Sequence, residues 1–116
     1  MILLNSFSAN MLAEFPASVT FTEVSAVDAR LALMCAAEKD GEADFIRSAV
    51  GHADTAAVLQ SELKLPVLCN RETVTLRAGD CAVIGQYSGP RLPEGATKLP
   101  EGATIKWLMV EVTSKS

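Results

Sequence analysis

The chain has 116 residues, of which 49% are hydrophobic and 21% charged, and its formal net charge is -4. This length fits a single domain spanning residues 1–116, and the composition excludes an intrinsically disordered chain. The negative charge argues against general DNA or RNA binding, in which Lys and Arg must neutralise many phosphates. A small anionic ligand needs only a few local donors and remains compatible with this charge.

The sequence shows no sign of export or of membrane insertion. Its apolar start, residues 1–7, lacks a basic leader and is too short for a signal peptide. No apolar stretch approaches the roughly 20 residues that cross a bilayer. We therefore expect a cytoplasmic protein that does not bind membranes.

The first third of the chain predicts two strands and a helix. Residues 2–5 form a short buried strand, an irregular loop runs through Pro16, and alternation over residues 19–24 predicts the second strand. Ser25 is the expected helix N-cap, with Asp28 three residues later. The helix is expected over residues 26–39, and Asp40 and Gly41 end it. Its expected buried face consists of Val27, Leu31 and Met34.

The next segment predicts a strand followed by a second helix. The strand covers residues 45–50, and Gly51 interrupts it where the backbone could approach a ligand closely. A helix is expected from about residue 54 to residue 63, capped by Asp54 or Thr55. Its expected neighbours on one face are Ala57, Leu59 and Leu63.

The last part of the chain is dominated by strands. Residues 67–69 predict a short strand, and an extended segment through Val74 and Leu76 leads to a turn at residues 78–80. Strongly apolar strands follow at residues 81–87 and 105–112. About five strands with two helices between them predict an α/β (α+β) domain, with a single mixed sheet and flanking helices.

A tandem repeat separates the last two strands. Residues 92–98 read LPEGATK and residues 99–105 read LPEGATI. Two heptads cannot form a solenoid, which needs about three longer units. With the preceding Ser88, Gly89 and Pro90 they make a loop of about 17 residues, and such loops are usually functional or disordered. A lid over a site and a mobile surface loop both fit.

The cysteines and the histidine content argue against a metal centre. Cys35, Cys69 and Cys81 are widely spaced in apolar runs, which indicates small core residues. One histidine and no CxxC motif leave no zinc site, and no tight group of carboxylates suggests magnesium. We expect no metal and no cofactor.

The single histidine, His52, is the strongest candidate for chemistry. It lies between a predicted strand and a predicted helix, and a helix N-terminus has unpaired N–H groups that attract anions. About forty residues later, Arg91 and Glu94 place a cation and a carboxylate on one loop. Together they suggest acid-assisted chemistry on a phosphodiester. A capping or partly buried His52, and a solvated pair at Arg91 and Glu94, are the alternatives.

Several segments resemble one family in their order and spacing. They are LLNSF at residues 3–7, SAVGH at residues 48–52 with its following helix, NR at residues 70–71, GD at residues 79–80 and RLPEG at residues 91–95. The chain resembles the small viral type III anti-CRISPR ring nucleases and their CRISPR-associated cellular relatives. These enzymes degrade cyclic tetra-adenylate, the second messenger of type III CRISPR defence.

The resemblance implies a ring-nuclease domain that acts as a homodimer. It would bind one cyclic tetra-adenylate across the two-fold axis and cut it, without a metal, to linear di-adenylate ending in a 2′,3′-cyclic phosphate. His52 would be the catalytic residue, with Glu94, Arg71 and Arg91 around the scissile phosphate. The weaker candidates for ligand contact are Asn5, Ser6 and Gly51.

General chemistry is compatible with these roles. A ribose 2′-hydroxyl held in line can attack its own phosphorus, and a histidine can protonate the departing 5′-oxygen near neutral pH. Glu94 would orient the imidazole or help to deprotonate the 2′-hydroxyl, and Glu101 occupies the same local sequence context in the second heptad. The alternatives are a non-catalytic cyclic-nucleotide-binding sponge and a homodimeric protein-interaction domain.

Overall fold

The computed structural model describes residues 1–39 and 46–114 and contains one five-stranded sheet. The strands are β1 (Ile2–Leu4), β2 (Ala17–Val24), β3 (Arg47–Ala49), β4 (Cys81–Ser88) and β5 (Thr104–Ser114). The helices are α1 (Ala26–Lys39) and α2 (Ala53–Leu63), and a short 3-10 turn covers Ala9–Met11. The predicted α+β fold with a single mixed sheet is confirmed.

The strand order is β2-β5-β4-β1-β3. β1 lies parallel to both of its neighbours, with Leu4 opposite Ala49 in β3 and Ile84 in β4. β5 pairs antiparallel with β4 and β2. The carboxyl ends of β1, β3 and β4 therefore meet at one edge of the sheet.

Each face of the sheet carries its own hydrophobic cluster. Both helices pack on one face, where Leu33 of α1 and Leu59 of α2 are buried with Leu3, Val83 and Trp107. The loops before β2 and before β4 cover the opposite face, where Leu76 packs with strand residues. Alternate residues of β1, β4 and β5 supply the two clusters, as the period of a strand requires.

The helices begin as their sequences dictate, with one correction. Ser25 caps α1 as predicted, because its Oγ accepts the N–H of Asp28 at 3.1 Å. The predicted cap of α2 at Asp54 or Thr55 is wrong: His52 is the N-cap residue, with φ -124° and ψ 129°. The predicted end of α1 at Asp40 and Gly41, and the start of the third strand at Phe45, lie outside the described residues.

The predicted core face of α1 is also wrong. Its buried residues are Ala29, Leu33 and Ala37. Val27, Leu31 and Met34 lie on the other side and are 65%, 51% and 40% exposed. The buried face of α1 thus consists of two alanines and Leu33, while Val27, Leu31 and Met34 face outwards.

Two smaller predictions also need correction. Residues 67–69 do not form a strand, and a single parallel bridge joins Cys69 to Val50. The cysteines are not core residues, since Cys35 and Cys69 are exposed and Cys81 is half-buried. The remaining predicted strands are confirmed within one or two residues at most of their ends.

Candidate functional site

The candidate site lies at the edge of the sheet where the three parallel strands end. β3 leads through Val50 and Gly51 into His52, and β4 leads into the loop of residues 89–103. Because these strands are separated only by β1, the histidine and the loop meet over the same edge. Ligands of open sheets that contain parallel strands commonly bind outside such carboxyl ends.

His52 caps α2 through its backbone only, so its side chain is available for other contacts. Its carbonyl oxygen accepts the N–H of Ala56 at 2.9 Å, the first hydrogen bond of the helix. Its exposed imidazole makes no capping hydrogen bond to the described first turn of α2. The imidazole therefore lies at the positive end of an 11-residue helix.

The structure brings His52, Arg91 and Glu94 around one cavity of about 900 Å³. This volume is in the range of small-molecule sites. The other lining residues are Asp54 and Thr55 of α2, Tyr87 at the end of β4, and Gly89, Leu92 and Pro93 of the loop. A cavity lined by an imidazole, a guanidinium and carboxylates can bind a phosphodiester and transfer protons to it.

The tandem repeat forms two turns of the same kind. Ala96 N–H donates to Pro93 O at 3.0 Å, and Ala103 N–H donates to Pro100 O at 3.1 Å. The third residues of the turns, Gly95 and Gly102, have φ values of 80° and 82°, which glycine adopts without a steric cost. The two glutamates thus have matching local backbones, but only Glu94 lines the cavity.

One hydrogen bond joins the loop to the helix that carries His52. Asp54 Oδ1 accepts the N–H of Gly95 at 3.1 Å. The start of the loop is held as well, because the Tyr87 hydroxyl donates to the carbonyl oxygen of Pro90. The first heptad is therefore attached to α2 through Gly95. Gly89, before the heptad, lies close to buried Ala103, next to β5.

Arg71 lies beside the histidine rather than in the cavity. Its Nε–H donates to the carbonyl oxygen of Gly51 at 2.8 Å. A Cβ built on Gly51 would lie 3.2 Å from Cγ of Arg71, so the open side of this glycine is occupied by an arginine side chain. Gly51 accommodates Arg71 in this structure, whereas the sequence predicted that it accommodates a ligand.

Asn5 and Ser6 follow β1, the middle one of the three parallel strands. They share the edge of the sheet with His52 but do not line its cavity. Asn5 is half-buried and Ser6 is exposed. The predicted site residues therefore form a cavity group (His52, Arg91 and Glu94), a neighbouring pair (Gly51 and Arg71) and two residues at the end of the middle strand that do not line the cavity (Asn5 and Ser6).

Other interactions of charged residues lie away from this site. The two ion pairs found in residues 1–39 and 46–114 join Arg47 to Glu72 at 3.5 Å and Arg77 to Glu14 at 3.4 Å. Within the same residues, no three His, Cys, Asp or Glu side chains are grouped so that they could hold a metal ion. No helix of the described chain is long and apolar enough to cross a membrane.

Comparison with known proteins identifies the family. The model of the STIV B116-like family matches residues 1–106. The chain belongs to the STIV B116-like family. Within it, the structure is similar to that of B116 of Sulfolobus turreted icosahedral virus, with a TM-score of 0.74 and 28% sequence identity over 95% of this chain and 97% of that one. No curated protein matches the chain.

Sequence reasoning missed three side chains of the cavity. Asp54 and Thr55 were considered only as caps, and Tyr87 only as part of a strand. The position of Asp54 in the first turn of α2, two residues after His52, is the one local signal for its place in the cavity. The contact between Asp54 and Gly95 depends on how α2 and a distant loop approach each other, and local sequence does not encode it.

Proposed function

We propose that this member of the STIV B116-like family is a metal-independent ring nuclease. It would cleave cyclic tetra-adenylate to linear di-adenylate with a 2′,3′-cyclic phosphate and so switch off type III CRISPR signalling. The observation that carries this proposal is the convergence of His52, Arg91 and Glu94 on one cavity at the N-terminus of α2. The viral origin of the similar protein B116 supports placement among viral anti-CRISPR proteins.

The proposed reaction is an internal transesterification. The ribose 2′-hydroxyl gives its proton to solvent water as its oxygen attacks the adjacent phosphorus, the 2′,3′-cyclic phosphate forms, and the bond from phosphorus to the 5′-oxygen breaks. His52 gives its proton to the departing 5′-oxygen. Because the nucleophile belongs to the substrate and the acid to the protein, the step needs no metal-bound water. General acid catalysis of this kind contributes about 10²–10⁴-fold.

Two kinds of donor near His52 fit a phosphate. Arg91 lines the cavity and can pair with phosphate oxygens through its planar guanidinium. The first N–H groups of α2 have no partner within the helix and point towards the same end. Arg71 is placed by Gly51 at the border of this region and would contact the ligand there.

Glu94 is the proposed partner of the imidazole. It lines the cavity together with His52, whereas Glu101 does not. A carboxylate that shares a cavity with a histidine can orient the imidazole towards the leaving oxygen. We therefore assign to Glu94 the orientation of the acid, with binding of phosphate left to the arginines.

A homodimer would provide two such cavities for a ring with two-fold symmetry. The outer face of α1, formed by Val27, Leu31 and Met34, is a surface on which a second copy can pack. Full burial of a Val, Leu or Met side chain contributes about 1.5–3 kcal/mol, so a contact between two such faces is favourable. α1 begins directly after Val24, which pairs with Trp107 near the edge that carries the site.

The decisive experiment follows cyclic tetra-adenylate by chromatography in the presence of EDTA. Wild type should yield linear di-adenylate, and His52→Ala should lower the rate at least 100-fold, within the range expected for loss of a general acid. Arg91→Ala should also lose activity, whereas Arg77→Ala, which removes an exposed arginine paired with Glu14, should not.

Three outcomes would contradict the proposal. An intact ring held in a tight complex would indicate a sponge, and neither binding nor cleavage would favour a protein-interaction domain. Full activity of His52→Ala would show that the imidazole is not the acid.

A further inference from the structure

Asp54 presents a problem for an anion site. Its side chain lines the cavity beside His52, Arg91 and Glu94. Besides the imidazole, the lining holds two carboxylates and one guanidinium, so the carboxylates outnumber the guanidinium. A second carboxylate near a phosphodiester repels it, so its presence in the lining calls for another role. The structure shows what Asp54 does: its Oδ1 accepts a backbone N–H from the loop.

The N–H that it accepts belongs to the residue after Glu94. The turn of the first heptad is closed by the N–H of Ala96, which leaves the N–H of Gly95 outside the turn. With φ at 80°, Gly95 lets the chain turn at this point while its N–H lies 3.1 Å from Asp54 Oδ1. One hydrogen bond to a charged acceptor thus connects the first turn of α2 to the residue next to Glu94.

The second heptad provides an internal comparison. Gly102 has the same backbone conformation in the same kind of turn. Among the hydrogen bonds of the described residues, none joins its N–H to a carboxylate as Asp54 joins that of Gly95. The heptad that is attached to α2 is also the heptad that supplies Glu94 to the cavity, and Arg91 directly precedes it.

We propose that Asp54 is a positioning residue that holds the loop of Arg91 and Glu94 against the helix of His52. The inference rests on the proposed ring-nuclease function and deepens it. Asp54 takes no proton from the substrate. Its role depends on an acceptor oxygen and not on its charge, and this distinguishes it from a general base.

The test compares three variants with wild type under steady-state conditions with cyclic tetra-adenylate. Asp54→Ala removes the acceptor and should lower kcat/KM by about 10–100-fold, the size of effect that misplacement of catalytic groups produces. Asp54→Asn keeps an acceptor oxygen and should recover most of that loss, with a KM no higher than that of wild type because a negative charge has left the site. Asp28→Ala removes the matching first-turn carboxylate of α1 and should retain full activity.

A second measurement does not depend on activity. Hydrogen exchange of the Gly95 amide should accelerate in Asp54→Ala, while exchange of the Gly102 amide stays at the wild-type rate. Full activity of Asp54→Ala would overturn the inference, and so would an Asp54→Asn variant as impaired as Asp54→Ala, because that result requires the charge. If wild type leaves the ring intact, the proposed function fails. Unchanged exchange of the Gly95 amide in Asp54→Ala would show separately that Asp54 does not hold the loop.

Discussion

The duplicated heptad allows a matched test of the carboxylate proposed to act with His52. Glu94→Gln and Glu101→Gln each remove one negative charge from an exposed turn and change the net charge from -4 to -3. The two turns have equivalent closing hydrogen bonds, at 3.0 and 3.1 Å, and equivalent glycines. Effects on loop stability should therefore be the same, and a difference in activity reports on position alone.

The expected magnitude follows from where each side chain lies. Glu94 lines the cavity of His52, so loss of its carboxylate should lower kcat by about 100-fold, the lower end of the range for general acid–base groups. That factor corresponds to about 2.7 kcal/mol of transition-state stabilisation. Glu101 lies outside the cavity, and Glu101→Gln should leave kcat and KM at wild-type values.

Steady-state cleavage of cyclic tetra-adenylate separates kcat from KM for both variants. Loss of kcat at Glu94 with little change in KM would match a group that acts on the histidine in the transition state. Equal activity of the two variants would refute the assignment. A Glu94→Gln variant with unchanged kcat and a lower KM would show that this carboxylate only repels the ligand.

Two further predictions concern assembly and stability. Leu31→Glu should dissociate the proposed dimer, as measured by light scattering. Thr22→Glu adds the same charge at an exposed position of β2 and should leave the dimer intact. Dissociation by Thr22→Glu alone would place the interface at the edge strand. Gly85→Ala should lower Tm by about 4–12 °C in a thermal melt, because overpacking costs about 1–3 kcal/mol. The added Cβ would lie 2.6 Å from Trp107 and 2.8 Å from Leu59. An unchanged Tm would show that these side chains can move aside.

The longer strands were predictable because their runs of apolar residues fit a strand in a sheet that is covered on both faces. In β4 and β5, runs of apolar residues whose side chains alternate between the two hydrophobic clusters fit a sheet that is covered on both faces. The short segment at residues 67–69 has the same composition but makes only one bridge to Val50. Whether a short apolar segment becomes a strand depends on a neighbouring strand being available, which is a property of the tertiary structure.

The face of α1 was ambiguous for a physical reason. Val27, Leu31 and Met34 recur at helical spacing, but so do Ala29, Leu33 and Ala37, on the opposite side of the helix. Both stripes satisfy the period of an α-helix. The sequence analysis chose the first stripe, whereas the structure buries the second one, in which Leu33 packs between two alanines. A helix with two apolar faces is expected where a second surface packs on the outer one.

The site shows a similar division between local and long-range information. His52 was recognisable because its position between a strand and a helix is local, and Arg91 with Glu94 because they share one loop. Their meeting required β1 to lie between β3 and β4, which sets the ends of these strands over one edge. The choice between Glu94 and Glu101 is not local at all, because their turns are the same.

What separates the two glutamates is attachment to the rest of the fold. Gly95 is bound to the first turn of α2, while the second turn continues directly through buried Ala103 into β5. The second heptad therefore spans the distance back to the sheet, and the first one forms the wall of the cavity. A duplicated heptad can in this way lengthen the loop without moving Glu94, provided that the carboxylate that holds the loop contacts only one of the two copies. Asp54 meets that condition, since it lies on the same turn of α2 that places His52.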